Sequence, residues 1–205
     1  MNVIFQHKKV IVFDLDGTIV NLTADWTALR DALVEMYKEY YKEECNFKRI
    51  STCLNVIVKR KDEEILQDFF DVIREYELKN IKDTQLIQET IFFINKKELF
   101  GVMNEVKFAV LSLNTRSSII RALELAHIYD KIDFIVGRED VRRWKPSPEG
   151  LLKIQKQYHV SKKEMIFFGD LKIDILTGQN AGIEAYFIDD LIKLVNKVKH
   201  KLKKK

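Results

Sequence analysis

The carboxylates of Asp14 and Asp16 stand one residue apart, directly after the apolar run Val10–Phe13. An unbroken apolar run of this length predicts a buried β-strand. Side chains two residues apart in an extended chain lie on the same side, about 6 Å apart, where like charges repel. A cation, a shared proton or a turn must compensate, and Gly17 suits the turn. The alternative is a loop that begins with polar residues and has no chemistry.

Short apolar runs recur along the chain and predict the strands of a sheet. From residue 102 onward they alternate with segments of helical spacing, which predicts an α/β fold with a doubly wound parallel sheet. In such sheets ligands bind beyond the carboxyl ends of the strands. The predicted strands are Val10–Phe13, Phe108–Leu111, Phe134–Val136, Met165–Phe168 and Ala185–Ile188, and the predicted helices are Ser117–Ala126, Pro148–Tyr158 and Ile173–Ala181.

Polar side chains also follow three of the other predicted strands. Ser112 and Asn114 follow the second strand, Lys145 lies beyond the third, and Asp170 and Asp174 follow the fourth. Carboxylates suit a hard cation, and a hydroxyl and an ammonium group suit phosphate oxygens. The sequence therefore predicts a site for a cation and a phosphate group at this edge of the sheet.

Residues 21–101 interrupt the alternation of strands and helices. The segments 25–43, 62–79 and 83–100 show helical spacing with acidic residues near their starts, which favours helices. Segment 45–61 has no clear pattern. An insertion of this length is too long for a simple crossover, so we expect a helical subdomain at 21–101 and a core formed by 1–20 and 102–205.

The composition is that of a soluble globular protein, with 46% apolar and 32% charged residues in 205. We found no apolar run approaching the roughly 20 residues of a membrane span. Cys45 and Cys53 form no metal-binding motif, so we expect reduced, packed thiols and a cytoplasmic location.

The net charge of +4 comes from one end of the chain. Residues 191–205 contain seven lysines and no acid, so the remainder carries a net charge of −3. The apolar residues of this segment have helical spacing, which predicts a docked helix with a solvated end. Terminal charge runs are usually solvated ends, and we expect no nucleic-acid partner. The docked face comprises Leu191, Leu194, Val195, Val198 and Leu202.

Four motifs in order resemble those of the haloacid dehalogenase superfamily. They are DLDGT at 14–18, Ser112 after the second strand, KPSP at 145–148, and Gly169 with Asp170 and Asp174. The layout is similar to the phosphoglycolate-phosphatase-like branch, which has a helical cap on a Rossmann-like core. One departure is Leu113, which separates Ser112 from Asn114, whereas relatives commonly have the two polar residues adjacent.

The resemblance implies a mechanism and a role for each residue. Asp14 would be the nucleophile that forms an aspartyl-phosphate, and Asp16 the general acid and base; the presence of Asp16 favours phosphoryl transfer over dehalogenation. Ser112, Asn114 and Lys145 would bind the phosphate. Mg²⁺ would be held by a set of carboxylates, which are Asp14, Asp16, Asp170 and Asp174. Asp174 would bind the ion directly or through water, or else would only orient Lys145.

The expected function is hydrolysis of a small phosphorylated metabolite, such as phosphoglycolate or a similar monoester, by a monomer or homodimer. A phosphomutase and a non-catalytic binding protein with the same fold are the alternatives. A second anionic group of the substrate would be bound by Arg116, Arg142, Arg143 or segment 58–61. The alternative is that these side chains are solvated. Trp26 either lines the pocket or packs in the core.

Overall fold

The computed structural model describes residues 3–204. The predicted core segments 1–20 and 102–205 therefore extend beyond the described residues by Met1, Asn2 and Lys205. A five-stranded, all-parallel sheet lies at the centre. Its strands are β1 (Val10–Phe13), β4 (Lys107–Leu111), β5 (Phe134–Val136), β6 (Met165–Gly169) and β7 (Glu184–Phe187). They lie in the order β5–β4–β1–β6–β7, which confirms the predicted α/β fold.

The predicted strands agree with the observed ones to within one residue. Two of them, β1 and β5, have the predicted bounds. Strand β4 begins one residue early because the backbone N–H of the exposed Lys107 donates to the carbonyl of Lys9 at 2.9 Å. Hydrogen bonding of the backbone, unlike an apolar pattern, does not stop at a polar side chain.

Helices cover both faces of the sheet. Ile11 and Phe13 of β1 belong to one apolar cluster, and Val10 and Val12 belong to the other. A central parallel strand is buried on both faces, which explains its unbroken apolar sequence. The core helices are α4 (Gln88–Asn95), α5 (Arg116–Leu125), α6 (Glu149–Tyr158), α7 (Lys172–Ala181) and α8 (Ile188–Leu202).

The first part of the inserted segment, residues 22–84, contains three α-helices above the carboxyl edge of the sheet. They are α1 (Trp26–Tyr41), α2 (Ile50–Arg60) and α3 (Glu63–Lys79). Asp25 caps α1 by accepting a hydrogen bond from the N–H of Ala28 at 2.9 Å, as is common at helix starts. Helix α2 lies within segment 45–61, for which no element was predicted. The cap helices bury Leu33, Phe47, Leu54 and Phe69 among other apolar residues.

A short antiparallel ribbon joins the chain where it enters and leaves this segment. Strand β2 (Val20–Asn21) pairs with β3 (Gln85–Leu86). Helix α4 then packs against α8, and Phe93 and Ile94 lie in the apolar cluster of the core. The division at residues 21 and 101 stays a prediction, and this packing favours a second boundary near residue 84.

The expectation of two free thiols differs from the structure, in which Cys45 and Cys53 form a disulfide. The irregular loop before α2 folds back along that helix and brings the two Cα atoms to 6.0 Å, within the usual range for a disulfide. The sequence does not show this approach, because Cys45 lies outside any periodic element. The cytoplasmic location relied on free thiols and stays a prediction without that support.

The last helix docks on the core as expected. Leu191 and Val195 of α8 are buried, and Leu194 and Val198 pack against the same cluster. Leu202, at the predicted solvated end, is 47% exposed. Among the described residues, no helix combines the length and apolar character needed to cross a membrane.

Candidate active site

Asp14 and Asp16 lie at the carboxyl end of β1 and line one cavity, hereafter the catalytic cavity. The chain turns at Gly17, whose φ of +72° lies in the left-handed region that favours glycine. In this turn, Asp14 Oδ1 accepts a hydrogen bond from the N–H of Leu15 at 2.7 Å. Asp16 Oδ1 accepts one from the N–H of Leu22 at 2.8 Å. Backbone donors therefore orient both carboxylates.

Lys145 lies between two carboxylates. Its Nζ is 2.7 Å from Asp14 Oδ2 and 2.6 Å from Asp174 Oδ1, and the side chain is buried. Burial lowers the pKa of Lys145, but the carboxylates of Asp14 and Asp174 outweigh it and raise the pKa above its usual value. Burial raises the pKa of Asp14 to about 6, against the opposing charge of Lys145. Lys145 is therefore a charged ammonium group at neutral pH, fixed beside Asp14.

Asp14, Asp170 and Asp174 form an acidic group whose ligand oxygens lie within 4.8 Å of one another. Asp170 Oδ1 is buried without a hydrogen-bond partner, and burial, with the charge of Asp174, raises the pKa of Asp170. The two oxygens of Asp174 instead accept hydrogen bonds from Lys145 and from the N–H of Leu171. A buried carboxylate oxygen without a donor, beside two more carboxylates, fits a hard divalent cation such as Mg²⁺.

Close packing holds Asp170 against the turn after β1. A Cβ atom at Gly17 would collide with the carboxylate of Asp170. Asp16 lies outside the acidic group, so its predicted role as a metal ligand stays a prediction. Burial raises the pKa of Asp16, while the hydrogen bond from the N–H of Leu22 opposes the rise. A raised pKa suits a group that must hold a proton near neutral pH.

Ser112 and Asn114 follow β4 and also line the catalytic cavity. The hydroxyl of Ser112 donates to Asn114 Oδ1 at 2.8 Å, and Asn114 Nδ2 donates to Glu77 Oε1 at 2.9 Å. Leu113, which separates them in the sequence, lines the cavity as well. Both residues lie beyond the carboxyl end of a parallel strand, where ligands are expected to bind. Their phosphate-binding roles stay predictions.

Glu77 was missed by the sequence analysis. It lies on α3, is 1% exposed, and accepts hydrogen bonds from Thr115 N–H at 2.9 Å and from the Thr115 hydroxyl at 2.6 Å. It therefore ties the last cap helix to the loop after β4. A signal was present: Glu77 continues the buried stripe of Phe70 and Ile73 at helical spacing, where a carboxylate needs a partner.

The catalytic cavity has a volume of about 420 Å³ and is closed on one side by the cap. Trp26 and Arg30 of α1 line it. Trp26 also packs against the apolar clusters, so both interpretations of this residue hold. Arg138 lines the cavity from the core side and was not predicted. It follows β5 by two residues, and its position beyond the carboxyl end of a parallel strand was a signal for the site.

The arginines proposed for a second anionic group lie elsewhere. Arg116 pairs with Asp140, Arg142 with Glu63 and Arg143 with Glu149. In segment 58–61, Arg60 pairs with Glu43 at 2.6 Å. None of these residues is among those that line the catalytic cavity in the described part of the chain. These surface ion pairs favour the alternative that the side chains are solvated, and a contact with substrate stays a prediction.

Known proteins resemble this chain over most of its length. Pyrophosphatase PpaX of Halalkalibacterium halodurans is 25% identical over 193 residues, covering 90% of this chain and 85% of that protein. Pyrophosphatase PpaX of Bacillus cereus is 24% identical over 190 residues, with the same coverage of each chain.

Two solved structures show the same fold. A protein named as a predicted phosphoglycolate phosphatase, from Haemophilus somnus, has a TM-score of 0.58 at 18% identity, covering 92% of this chain and 91% of its own. A HAD-superfamily hydrolase of subfamily IA from Geobacter sulfurreducens has a TM-score of 0.55 at 14% identity, covering 94% and 97%. Residues 11–188 match the family model described as haloacid dehalogenase-like hydrolase, and the chain is an enzyme of that family.

Proposed function

We propose that this protein is a Mg²⁺-dependent phosphatase that hydrolyses a small phosphorylated metabolite through an aspartyl-phosphate on Asp14. The observation that carries the proposal is the buried Asp14 carboxylate, held by Lys145 Nζ at 2.7 Å beside Asp170 and Asp174 at the catalytic cavity. The match to the hydrolase family supports it.

The chemistry assigned to the chain begins with attack of Asp14 on phosphorus. Asp16 gives its proton to the leaving oxygen and later takes a proton from the water that cleaves the aspartyl-phosphate. Burial raises the pKa of Asp16, which is the direction that favours holding the proton it gives. Lys145 holds the phosphoryl oxygens, on which charge is spread in the transition state. The Ser112 hydroxyl joins it by turning its proton from Asn114 Oδ1 to the phosphoryl group.

Asp14, Asp170 and Asp174 would hold Mg²⁺, with Asp16 as the fourth predicted ligand. The buried, unpartnered Oδ1 of Asp170 supports this assignment. When bound, Mg²⁺ supplies positive charge that offsets the repulsion between the nucleophilic carboxylate and the anionic phosphoryl group. Asp174 also orients Lys145, since its Oδ1 accepts from Nζ at 2.6 Å.

The names of similar proteins narrow the substrates to test. Phosphoglycolate and pyrophosphate are the first two candidates, because a solved neighbour is named for the former and curated relatives for the latter. The catalytic cavity of about 420 Å³ admits a small leaving group. We expect a small-molecule substrate, a cytoplasmic location, and a monomer or homodimer.

The test is release of phosphate from an aryl phosphate, measured with Mg²⁺ and with excess chelator. Wild type and the Asp14→Asn variant are compared, with Asp31→Asn as the matched control, because Asp31 is exposed on α1. Turnover that requires both Mg²⁺ and Asp14, and survives in the control, is the expected result. Turnover that persists in folded Asp14→Asn protein would refute the aspartyl-phosphate mechanism.

A further inference from the structure

Arg138 is buried without partners for its charge. The side chain is 4% exposed, and Nε and Nη1 have no hydrogen-bond acceptor. Its main chain is fixed: the N–H donates to the Asn114 carbonyl at 2.8 Å, and its own carbonyl accepts from Trp144 Nε1 at 2.8 Å. A guanidinium group buried without acceptors is unfavourable in a protein interior, so this arrangement points to an anionic ligand.

The carboxylates near Arg138 are already engaged elsewhere. Burial lowers the pKa of Arg138 despite the opposing charges of Glu77 and Glu139. Glu77 accepts three hydrogen bonds from the loop after β4, and Glu139 accepts one from the N–H of Arg116 at 3.0 Å. Neither carboxylate is within ion-pair distance of the Arg138 guanidinium group. The charge of Arg138 is therefore available to a ligand in the cavity.

A second cavity of about 620 Å³ continues from the catalytic cavity between cap and core. The two share Arg30, Leu113, Arg138, Leu171 and Ile173 in their linings. We call the second cavity the basic groove, because its described lining holds no aspartate or glutamate but several cations. They are Arg30, Lys48, Arg49, Arg138 and Lys172.

The distribution of ion pairs sets the basic groove apart from the rest of the surface. The sequence contains nine arginines. Within residues 3–204, six of them have a carboxylate partner within 3.0 Å: Arg60, Arg74, Arg116, Arg121, Arg142 and Arg143. The three that have none are Arg30, Arg49 and Arg138, and all three line the basic groove. Unpaired arginines are thus concentrated beside the catalytic cavity of a chain body that is mildly acidic.

We propose that Arg138, with Arg30 from the cap, selects substrates whose leaving group carries a second anionic group, either a carboxylate or a phosphate. The proposal rests on the proposed phosphatase function. The phosphoryl group lies at Asp14 and Lys145, and the leaving group extends toward Arg138, where the two cavities meet. A planar guanidinium group binds either anion through paired hydrogen bonds. Arg138 is a specificity residue and takes no part in bond cleavage.

The test measures binding of three non-hydrolysable phosphonates by calorimetry in excess Mg²⁺. Phosphonoacetate carries a second carboxylate, methylenediphosphonate a second phosphonate, and ethylphosphonate, of matched size, has no second charge. Wild type should bind at least one of the two ligands that have a second anionic group at least about 10-fold more tightly than ethylphosphonate. This factor corresponds to the usual strength of one hydrogen bond to a charged group. The tighter of the two identifies carboxylate or phosphate as the second group.

Arg138→Met should reduce that preference by about 10-fold or more, because methionine fills similar space without charge. Arg142→Met is the matched control, since Arg142 lies on the surface, outside both cavities, and pairs with Glu63. A cooperative thermal transition verifies that each variant folds. Arg30→Met is the second variant and should also reduce the preference.

Equal binding of all three phosphonates by wild type would overturn the proposal. So would an unchanged preference in folded Arg138→Met protein or, if that variant fails to fold, in Arg30→Met. Binding of these ligands needs no turnover. Absence of phosphatase activity would therefore refute the proposed function, and the binding result would still decide whether Arg138 selects a second anionic group. If wild type hydrolyses phosphoglycolate faster than ethyl phosphate, Arg138→Met should lower the ratio of the two kcat/KM values by a similar factor.

Discussion

Replacement of Glu77 by alanine tests whether the last cap helix is fastened to the loop after β4. The Glu77 carboxylate is 1% exposed and accepts hydrogen bonds at 2.9, 2.9 and 2.6 Å from Asn114 Nδ2, Thr115 N–H and the Thr115 hydroxyl. Alanine would remove both acceptor oxygens and leave the three donors buried without them. The consequences are a loss of stability and a misplaced Asn114.

The magnitude follows from the number and kind of these bonds. A hydrogen bond to a charged group contributes roughly 1.5–3 kcal/mol. The three share one carboxylate and do not add fully, and each buried neutral donor left without an acceptor costs about 1–3 kcal/mol. We therefore expect the free energy of unfolding to fall by about 4 kcal/mol. For a chain of this length, that corresponds to a fall in Tm of about 8–16 °C.

The assay is thermal unfolding followed by circular dichroism, with phosphate release measured on the same samples below the transition. Glu75→Ala is the matched control, because Glu75 lies on the same helix and is exposed. Glu77→Gln should fall between wild type and Glu77→Ala, because its amide accepts some of these bonds but presents an N–H₂ group to another donor. If the Tm of Glu77→Ala lay within about 3 °C of the Glu75→Ala value, the reasoning would be refuted.

Three further changes test the site and the cap. Asp174→Asn removes one of the two carboxylates on Lys145, and kcat should fall about 10- to 100-fold, with the melting transition retained. Gly17→Ala forces a Cβ into the Asp170 carboxylate at a positive φ, so stability should fall by about 1–3 kcal/mol and Mg²⁺ should bind more weakly in calorimetry. Cys45→Ser opens a short loop, so the Tm should fall by about 5–10 °C, and added reductant should lower it no further.

The sequence predicted the central sheet and the residues at its carboxyl edge because both depend on local signals. An apolar run followed at once by polar residues indicates a buried strand that ends at a site. Parallel strands then place these ends side by side without further information. Asp14, Lys145 and Asp170 therefore lie around one cavity, although they are far apart in the sequence.

The residues missed by the sequence analysis owe their importance to partners on other elements. Glu77 lies in the buried stripe of α3, which indicates that its carboxylate needs a partner, but the donors lie in a loop 37 and 38 residues away. The pairing of Cys45 with Cys53 depends on how an irregular loop folds back. Arg138 follows β5 at the edge where the site was predicted, but only the structure shows that it lacks the carboxylate partner that six other arginines have. Such partners arise from tertiary packing, which a periodic pattern in the sequence does not describe.

Asn114 links Glu77 of the cap to Ser112 and Arg138 of the core. Its Oδ1 accepts from the Ser112 hydroxyl, its Nδ2 donates to Glu77, and its carbonyl accepts from the Arg138 N–H. The extra Leu113 explains this arrangement, since it sets Asn114 two residues beyond Ser112, where both groups of the amide have protein partners. Asn114 therefore fits a positioning role better than the predicted contact with phosphate. A movement of the cap that displaced Glu77 would therefore displace Ser112 and Arg138 as well, because both are hydrogen-bonded to Asn114.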